Sequence, residues 1–418
     1  MQVIEYGADQ RESILLLHGG GLSWWNYREA AELLKNGGLV AVPTETVYGL
    51  AANGLDAVAV NRIYEVKGRP TVKPLSLMVH DASWMERLCT TVPKAAKVLS
   101  ARWWPGPVTL ILPARDVIPE IVRAGGDTIG LRCPDHADTL AVIAEAQIPL
   151  AAPSANPSGA PSPKTADDVL RYFSGDIEAV IDGGPCGIGT ESTIVDLAHT
   201  PYRILRQGAL PEKEIWQCVQ QSVRVIGITG GTGCGKTTLL HQLQKHGALI
   251  LDLDEIYHNL LERDADLLAA IEARFPGVVE DGVLQRKALG AIVFADAEAL
   301  EDLNAITHRA ILAETDRRIL EWAKTGGTLA AIDAVALIES GASERCDTVI
   351  GVTAPREERI QRLLAREGVT RAYAESRIDA QPTNDWYRAH CDRVIENNGS
   401  IEQFQIYAER MIMEVLAE

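Results

Sequence analysis

Residues 223–247 read VRVIGITGGTGCGKTTLLHQLQKHG. A β-branched run, Val223–Thr229, ends in glycines, and the stretch after them carries apolar residues at helical spacing. Between the two, Gly230–Thr237 is a complete G-x-x-x-x-G-K-T. Glycines in such a turn let backbone N–H groups approach phosphate oxygens, and the following helix adds the positive end of its dipole. Lys236 brings a compact positive charge to the outer phosphates, and the Thr237 hydroxyl is a ligand for Mg²⁺. The pattern predicts strand, turn and helix, with Gly230, Gly233, Cys234, Gly235, Lys236, Thr237 and Thr238 against the phosphates of ATP.

Downstream, Ala248–Asp254 reads ALILDLD, a second strand with Asp252 and Asp254 at its carboxyl end, where open α/β sheets place ligands. A carboxylate there takes a proton from an acceptor hydroxyl, holds magnesium through water, or caps the next helix, and the sequence leaves these alternatives open. Helical patterns fill about 262–325, and Thr328–Val335 reads as a further strand.

The 418 residues are enough for two or three domains. With 40 basic and 57 acidic residues the net charge is −17, which excludes a generic nucleic-acid coat and leaves phosphate binding to local clusters. Seven scattered cysteines without a C-x-x-C pair argue against a metal knuckle or a disulfide framework and for a reducing cytosol. No apolar run approaches the roughly 18–20 residues of a membrane span, so a cytoplasmic protein without a membrane partner is expected.

Before residue 215, strand-like runs alternate with helical stretches: Leu39–Pro43, Val108–Pro113, Thr128–Arg132, Ile148–Pro153 and Ser192–Asp196. This is an α/β pattern. Thr44, Glu45, Thr46 and Tyr48 cluster after the first of these runs. In KGRPTVKPL, Lys67, Arg69 and Lys73 fall among prolines and a glycine, either an anion seat or a solvated turn. The Pro/Ser-rich stretch Pro153–Lys164 reads as a loop.

Two families are recognisable in these blocks. ITGGTGCGKTT, Leu251–Leu260, Asp281–Phe294, Leu303–Ile311, Ile360–Gly368, Gln381 and Asp392–Gly399 stand in the order of the dephospho-CoA kinase family, which the region from Val223 resembles. The resemblance implies a P-loop kinase domain with a parallel sheet, a helical CoA-binding insert and a lid. It implies transfer of the ATP γ-phosphoryl group to the ribose 3′-hydroxyl of dephospho-CoA. Asp254 would be the catalytic carboxylate alongside Lys236. Arg362 and Arg366 would close over the transferring group, the alternative being a solvated helix face. The chain departs from the family at Asp333–Glu339, DAVALIE, where Val335 and Ala336 replace a proline and a leucine, and at Arg309, which replaces a proline. By the resemblance, both departures would bear on the shape of the acceptor pocket.

PTETVYGL, Lys67-x-Arg69, Trp104–Leu112, Thr128–Pro134, Ser154-x-Asn156, Gly189–Asp196 and Ile204–Leu210 resemble a YrdC-like threonylcarbamoyl-AMP synthase domain over about residues 28–210. The resemblance implies a twisted open α/β sheet that condenses L-threonine, bicarbonate or CO₂, and ATP into threonylcarbamoyl-AMP and pyrophosphate. Thr46, Arg132 and Ser192 would hold threonine. Arg69, Lys73, Thr128, Ser154, Asn156, Ser162 and Arg206 would hold ATP, with Lys67 and Arg69 offsetting charge at the reacting phosphate. Downstream tRNA threonylcarbamoyl-transfer proteins are implied partners, and direct tRNA binding is left open.

The amino end, ILLLHGGGLSWW at Ile14–Trp25, is similar to an α/β-hydrolase oxyanion turn, but no G-x-S-x-G follows anywhere. Residues 1–27 are therefore expected to be an appended leader with His18 in a turn. A domain at 28–210, a connector at 211–222 and a kinase domain at 223–418 complete the expected order. The rival reading keeps only the kinase half catalytic and makes the first half an RNA-binding module, against which the acidic total counts.

Overall fold

The computed structural model describes residues 5–6, 14–18 and 24–417. The chain separates into two compact units, residues 1–222 with 324–326, and residues 223–323 with 327–418. Among the described residues, no helix is long and apolar enough to cross a membrane.

The first unit holds one mixed sheet, eleven strands among the described residues. Their order is Glu5–Tyr6, Ile14–His18, Ala179–Asp182, Val40–Val42, Gly49–Asn53, Leu150–Ala151, Ser76–Met78, Thr128–Arg132, Val108–Pro113, Thr193–Asp196 and Arg203–Arg206. Strands Val108–Pro113 and Thr128–Arg132 coincide with the sequence expectation, and Leu150–Ala151 is a two-residue remnant of the run expected at 148–153. Helices Trp24–Lys35 and Ala137–Ala146 pack beside the sheet through Ala30, Leu34, Val142 and Ile143.

Ile14–His18 is a strand paired in parallel with Ala179–Asp182, so His18 ends a strand rather than sitting in a turn. The first helix starts at Trp24, ahead of Arg28. Gly19–Gly21 lie outside the described residues. The segment expected as a connector contains the helix Glu212–Gln220, whose Ile215 and Val219 are fully buried.

The second unit is built on a five-stranded, all-parallel sheet in the order Leu249–Asp252, Leu329–Asp333, Arg224–Thr229, Thr348–Thr353, Arg393–Glu396. Strands covered on both faces read as continuous apolar runs, which is why Arg224–Thr229 was legible. Helices Lys236–Lys245 and Ile401–Ala417 cover it, with Ile226, Leu239, Leu243, Val352, Phe404 and Ile412 in one buried cluster. Register aligns the strand tips: Asp333 lies opposite both Ile228 and Asp252, so its carboxylate neighbours the glycine turn. A helical insert has its own core of Leu267, Ile271, Phe275, Leu289, Val293 and Leu303. It is interrupted, contrary to the helical expectation, by a hairpin pairing Val279–Glu280 with Val283–Leu284. Asp281 and Gly282, at φ 51° and 75°, adopt the left-handed pair that a two-residue hairpin turn demands. Helices Arg356–Glu367 and Arg371–Asp379 join through Ile360, Leu363, Ala374 and Ile378.

Phe404 is 2 % exposed within the second unit's buried cluster. Phe404→Ala should cost about 3–5 kcal/mol. Urea unfolding followed by tryptophan fluorescence measures this, and a loss under about 1 kcal/mol would take Phe404 out of that role.

Candidate active sites

In the second unit the turn after strand Arg224–Thr229 holds Gly230, Gly233 and Gly235 at φ 141°, 81° and 105°. These are conformations that side chains rarely adopt. At Gly230 a Cβ would also sit 2.2 Å from the Val352 carbonyl oxygen. The helix begins at Lys236, so its first N–H groups face the turn. Lys236 Nζ lies 3.4 Å from Asp333 Oδ1. That distance neutralises charge without an aligned hydrogen bond, and Oδ1 is buried with no hydrogen-bond partner. Burial raises the Asp333 pKa, and the Lys236 charge opposes the rise. Thr237 is exposed at the helix start.

Asp252 and Asp254 divide the roles that the sequence left open. Asp252 Oδ1 accepts from the N–H groups of Asp254 and Glu255 at 2.9 and 3.1 Å, the geometry of an N-cap on helix Leu253–Arg263. Asp254 instead lines a cavity of about 250 Å³ with Leu253, Tyr257, Asn304, Thr307, His308 and Ile311. Val335 and Ala336, the residues that depart from the family, form part of its wall.

In the first unit, a cavity of about 300 Å³ lies on one face of the sheet. Strand residues alternate faces, and the lining shows it: Ser76 and Met78, Thr128, Gly130 and Arg132, and Thr109 and Ile111. Ser76, Gly130 and Ile111 stand in register across three strands. A Cβ at Gly130 would press within 3.1–3.2 Å of Ile111, Ser76 and Thr109, so glycine keeps the floor level. Opposite Ile194 and Val195 the register shifts, and this bulge lets consecutive Leu205 and Arg206 both reach the cavity. Arg69, Arg132 and Arg206 line it with a single acid, Glu191.

Each arginine is held. Arg132 Nη2 lies 2.6 Å from Glu45 Oε1, whose partner oxygen accepts from Asp135 N–H at 3.0 Å. Arg206 donates through Nε and Nη2 to Ser192 O at 3.1 and 2.9 Å. Arg69 Nη2 donates to Pro74 O at 3.0 Å. Burial lowers the pKa of both Arg69 and Arg206. Ser192 Oγ and Thr109 Oγ1 lie 2.8 Å apart, and buried Thr46 Oγ1 lies 2.9 Å from Thr44 Oγ1.

Residues 224–403 match the family model described as dephospho-CoA kinase, and residues 32–208 match the Sua5/YciO/YrdC family model, described as telomere recombination. A dephospho-CoA kinase of Geobacter sulfurreducens is 37% identical over 198 residues, covering 46% of this chain and 98% of the relative. A threonylcarbamoyl-AMP synthase of Pyrococcus abyssi is 48% identical over 191 residues, 46% of this chain and 56% of the relative. The Bacillus subtilis synthase is 47% identical over 188 residues, 45% and 54% of the two chains. The chain joins a Sua5/YrdC domain to a domain of the dephospho-CoA kinase family. It spans about half the length of the curated synthases that it matches.

Within the Sua5/YrdC domain the structure brings Thr46, Arg69, Thr128, Arg132, Ser154, Ser192 and Arg206 to one cavity. Lys67, Lys73, Asn156 and Ser162 stand outside its lining. Lys67 Nζ donates to the carbonyls of Ser154 and Asn156, beneath the Pro/Ser-rich loop. Ser162 Oγ donates to Glu191 Oε1 at 3.0 Å. In the kinase-family domain Arg362 Nη1 reaches the Gly233 carbonyl at 3.2 Å, whereas Arg366 is exposed and paired with Glu367. Sequence reasoning missed Glu191, Thr109, the Glu45 partner of Arg132, and Asp333 as a neighbour of Lys236. Each acts through contacts between distant segments that spacing does not encode.

Burial and then the Arg69 charge push the Lys67 pKa from its ordinary value near 10.5 down to about 7. Between pH 7 and 10.5 the unfolded chain therefore binds more protons at this site than the folded one, so Lys67 makes stability rise with pH across that window. Lys67→Met should flatten the rise when chemical unfolding is compared between about pH 6.5 and 9. An unchanged slope would mean that the lysine titrates as in water.

Proposed function

We propose that the chain is a bifunctional enzyme with two separate ATP sites. Residues 223–418 transfer the γ-phosphoryl group of ATP to the ribose 3′-hydroxyl of dephospho-CoA. The observation that carries this reading is Asp254 in the wall of a cavity at the strand ends that also bear the glycine turn and Lys236. Asp252 is occupied as a helix cap, which leaves the Asp254 carboxylate to take the hydroxyl proton as the new O–P bond forms and ADP departs. Lys236 and the turn amides hold the outer phosphates. The buried Oδ1 of Asp333, which faces Lys236 Nζ at 3.4 Å without a hydrogen bond, and the exposed Thr237 hydroxyl fit a magnesium ion. That ion supplies charge neutralisation on the phosphates, and Asp333 and Thr237 would hold it.

Residues 28–210 join the carbamate of L-threonine, formed with bicarbonate or CO₂, to the α-phosphorus of ATP, and pyrophosphate leaves. The supporting observation is three arginines converging on one cavity over the sheet face. Arg69 and Arg206 offset charge on the triphosphate, Arg132 takes the threonine carboxylate, and Thr46 and Ser192 take its polar groups. Lys67 serves by holding the Ser154–Asn156 loop rather than by touching phosphate. The product passes to tRNA-modifying proteins, and we assign both reactions to the cytosol. A kinase whose first half only binds RNA is disfavoured by the 48% identity to a synthase.

Lys236→Ala should abolish dephospho-CoA-dependent ADP formation and leave threonine-dependent pyrophosphate release unchanged; Arg69→Ala should do the reverse. Loss of both activities in either variant would contradict separate sites. Labelled threonine and bicarbonate should give an adenylate with ATP and Mg²⁺, an outcome that an RNA-binding module does not produce.

A further inference from the structure

The geometry points to Arg359 and Gln381 as positioning residues that keep the glycine turn open for nucleotide phosphates, an inference that rests on the ATP-binding reading of that turn. Three consecutive turn carbonyls are each tied by a side chain. Thr232 O accepts from Arg359 Nε at 2.9 Å, Gly233 O from Arg362 Nη1 at 3.2 Å, and Cys234 O from Asn397 Nδ2 at 2.9 Å. In a trans peptide unit the N–H points opposite to the C=O. Tying these carbonyls therefore turns the N–H groups of Gly233 and Gly235 to the other side, where anion donors are needed.

Gln381 completes the clamp. Its Oε1 accepts from Thr232 N–H and from Arg359 Nη2, both at 2.8 Å, and its Nε2 donates to Thr232 Oγ1 at 2.8 Å. Arg359 is 4 % exposed, and both of its side-chain hydrogen bonds go to neutral groups. Its contact with the turn is close: a Cβ at Gly231 would lie 2.2 Å from Arg359 Nη2. Arg359 sits on helix Arg356–Glu367 and Gln381 follows helix Arg371–Asp379 by two residues, so side chains from two separate segments meet at the same turn residue. Neither side chain need touch ATP; each acts through the backbone of Thr232.

The test is titration of the full-length protein with N-methylanthraniloyl-ATP, taking as the kinase-site signal the component lost in Lys236→Ala. Arg359→Ala and Gln381→Ala should each weaken that component by roughly tenfold or more, the range for a buried, charge-assisted hydrogen bond. Because they share Thr232, the double variant should be no more than about twofold weaker than the weaker single one. Arg359→Lys, which keeps the charge and one donor direction, should recover part of the affinity. Unchanged affinity in both singles, or effects that multiply in the double variant, would overturn the clamp. If Arg359→Ala lowers the melting temperature enough to prevent titration, Gln381→Ala decides alone. A Lys236-dependent signal without ADP formation from dephospho-CoA would sink the acceptor assignment and leave the clamp standing. No Lys236-dependent signal at all would sink both.

Discussion

A chain of net charge −17 repels polyanions, so every phosphate seat in it has to be assembled locally against that field. Both candidate sites meet the constraint in the same way. Cations are drawn into the lining of a cavity or a turn and held there by a carboxylate or by backbone carbonyls. Lys236 faces Asp333 at 3.4 Å, Arg132 faces Glu45 at 2.6 Å, and Arg206 stands 3.9 Å from Glu191. A neighbouring acid offsets part of the cost of keeping a cation out of water and fixes its direction before any ligand arrives. It also means that substrate anions must share these cations with internal partners.

The two units reach this arrangement by different architectures. The kinase-family domain uses a parallel sheet, whose strand ends put Gly230, Asp252 and Asp333 side by side. Its donors are largely backbone amides, which add no net charge to the site. The Sua5/YrdC domain uses the face of a mixed sheet, where side-chain alternation and one bulge aim three arginines at a common floor. Backbone donors suit a terminal phosphate that must be gripped closely. Side-chain cations suit a wider cavity in which several reactants meet.

How much of this was legible follows from what each residue needs. The glycine turn was readable because left-handed φ values at Gly230, Gly233 and Gly235 restrict residue type locally. The strand Arg224–Thr229 was readable because a buried parallel strand is apolar throughout. Leu150–Ala151 and Ser76–Met78 were harder: two or three residues carry no period. The Asp281–Gly282 turn carried a local signal that the surrounding helical pattern outweighed. Ile14–His18 read as a short strand from its apolar run, but its partner could not be read, because its pairing with Ala179–Asp182 is set by residues far along the chain. Lys67 belongs to a recognisable motif, yet only the fold shows it bound to loop carbonyls rather than facing the cavity. Arg359 and Asn397 showed no spacing signal, because they act across about 130–160 residues of sequence.

The central claim is that one polypeptide cleaves ATP at two different phosphorus atoms in two different places. Incubating the intact chain with threonine, bicarbonate, dephospho-CoA and Mg²⁺, and with ATP labelled separately at the α- and γ-phosphorus, tests it in one experiment. The account predicts α-label in a threonine-containing adenylate and γ-label in the 3′-phosphate of CoA. If the α-label stayed in ATP and ADP alone, or the γ-label never reached CoA, one of the two sites would not be what its geometry suggests.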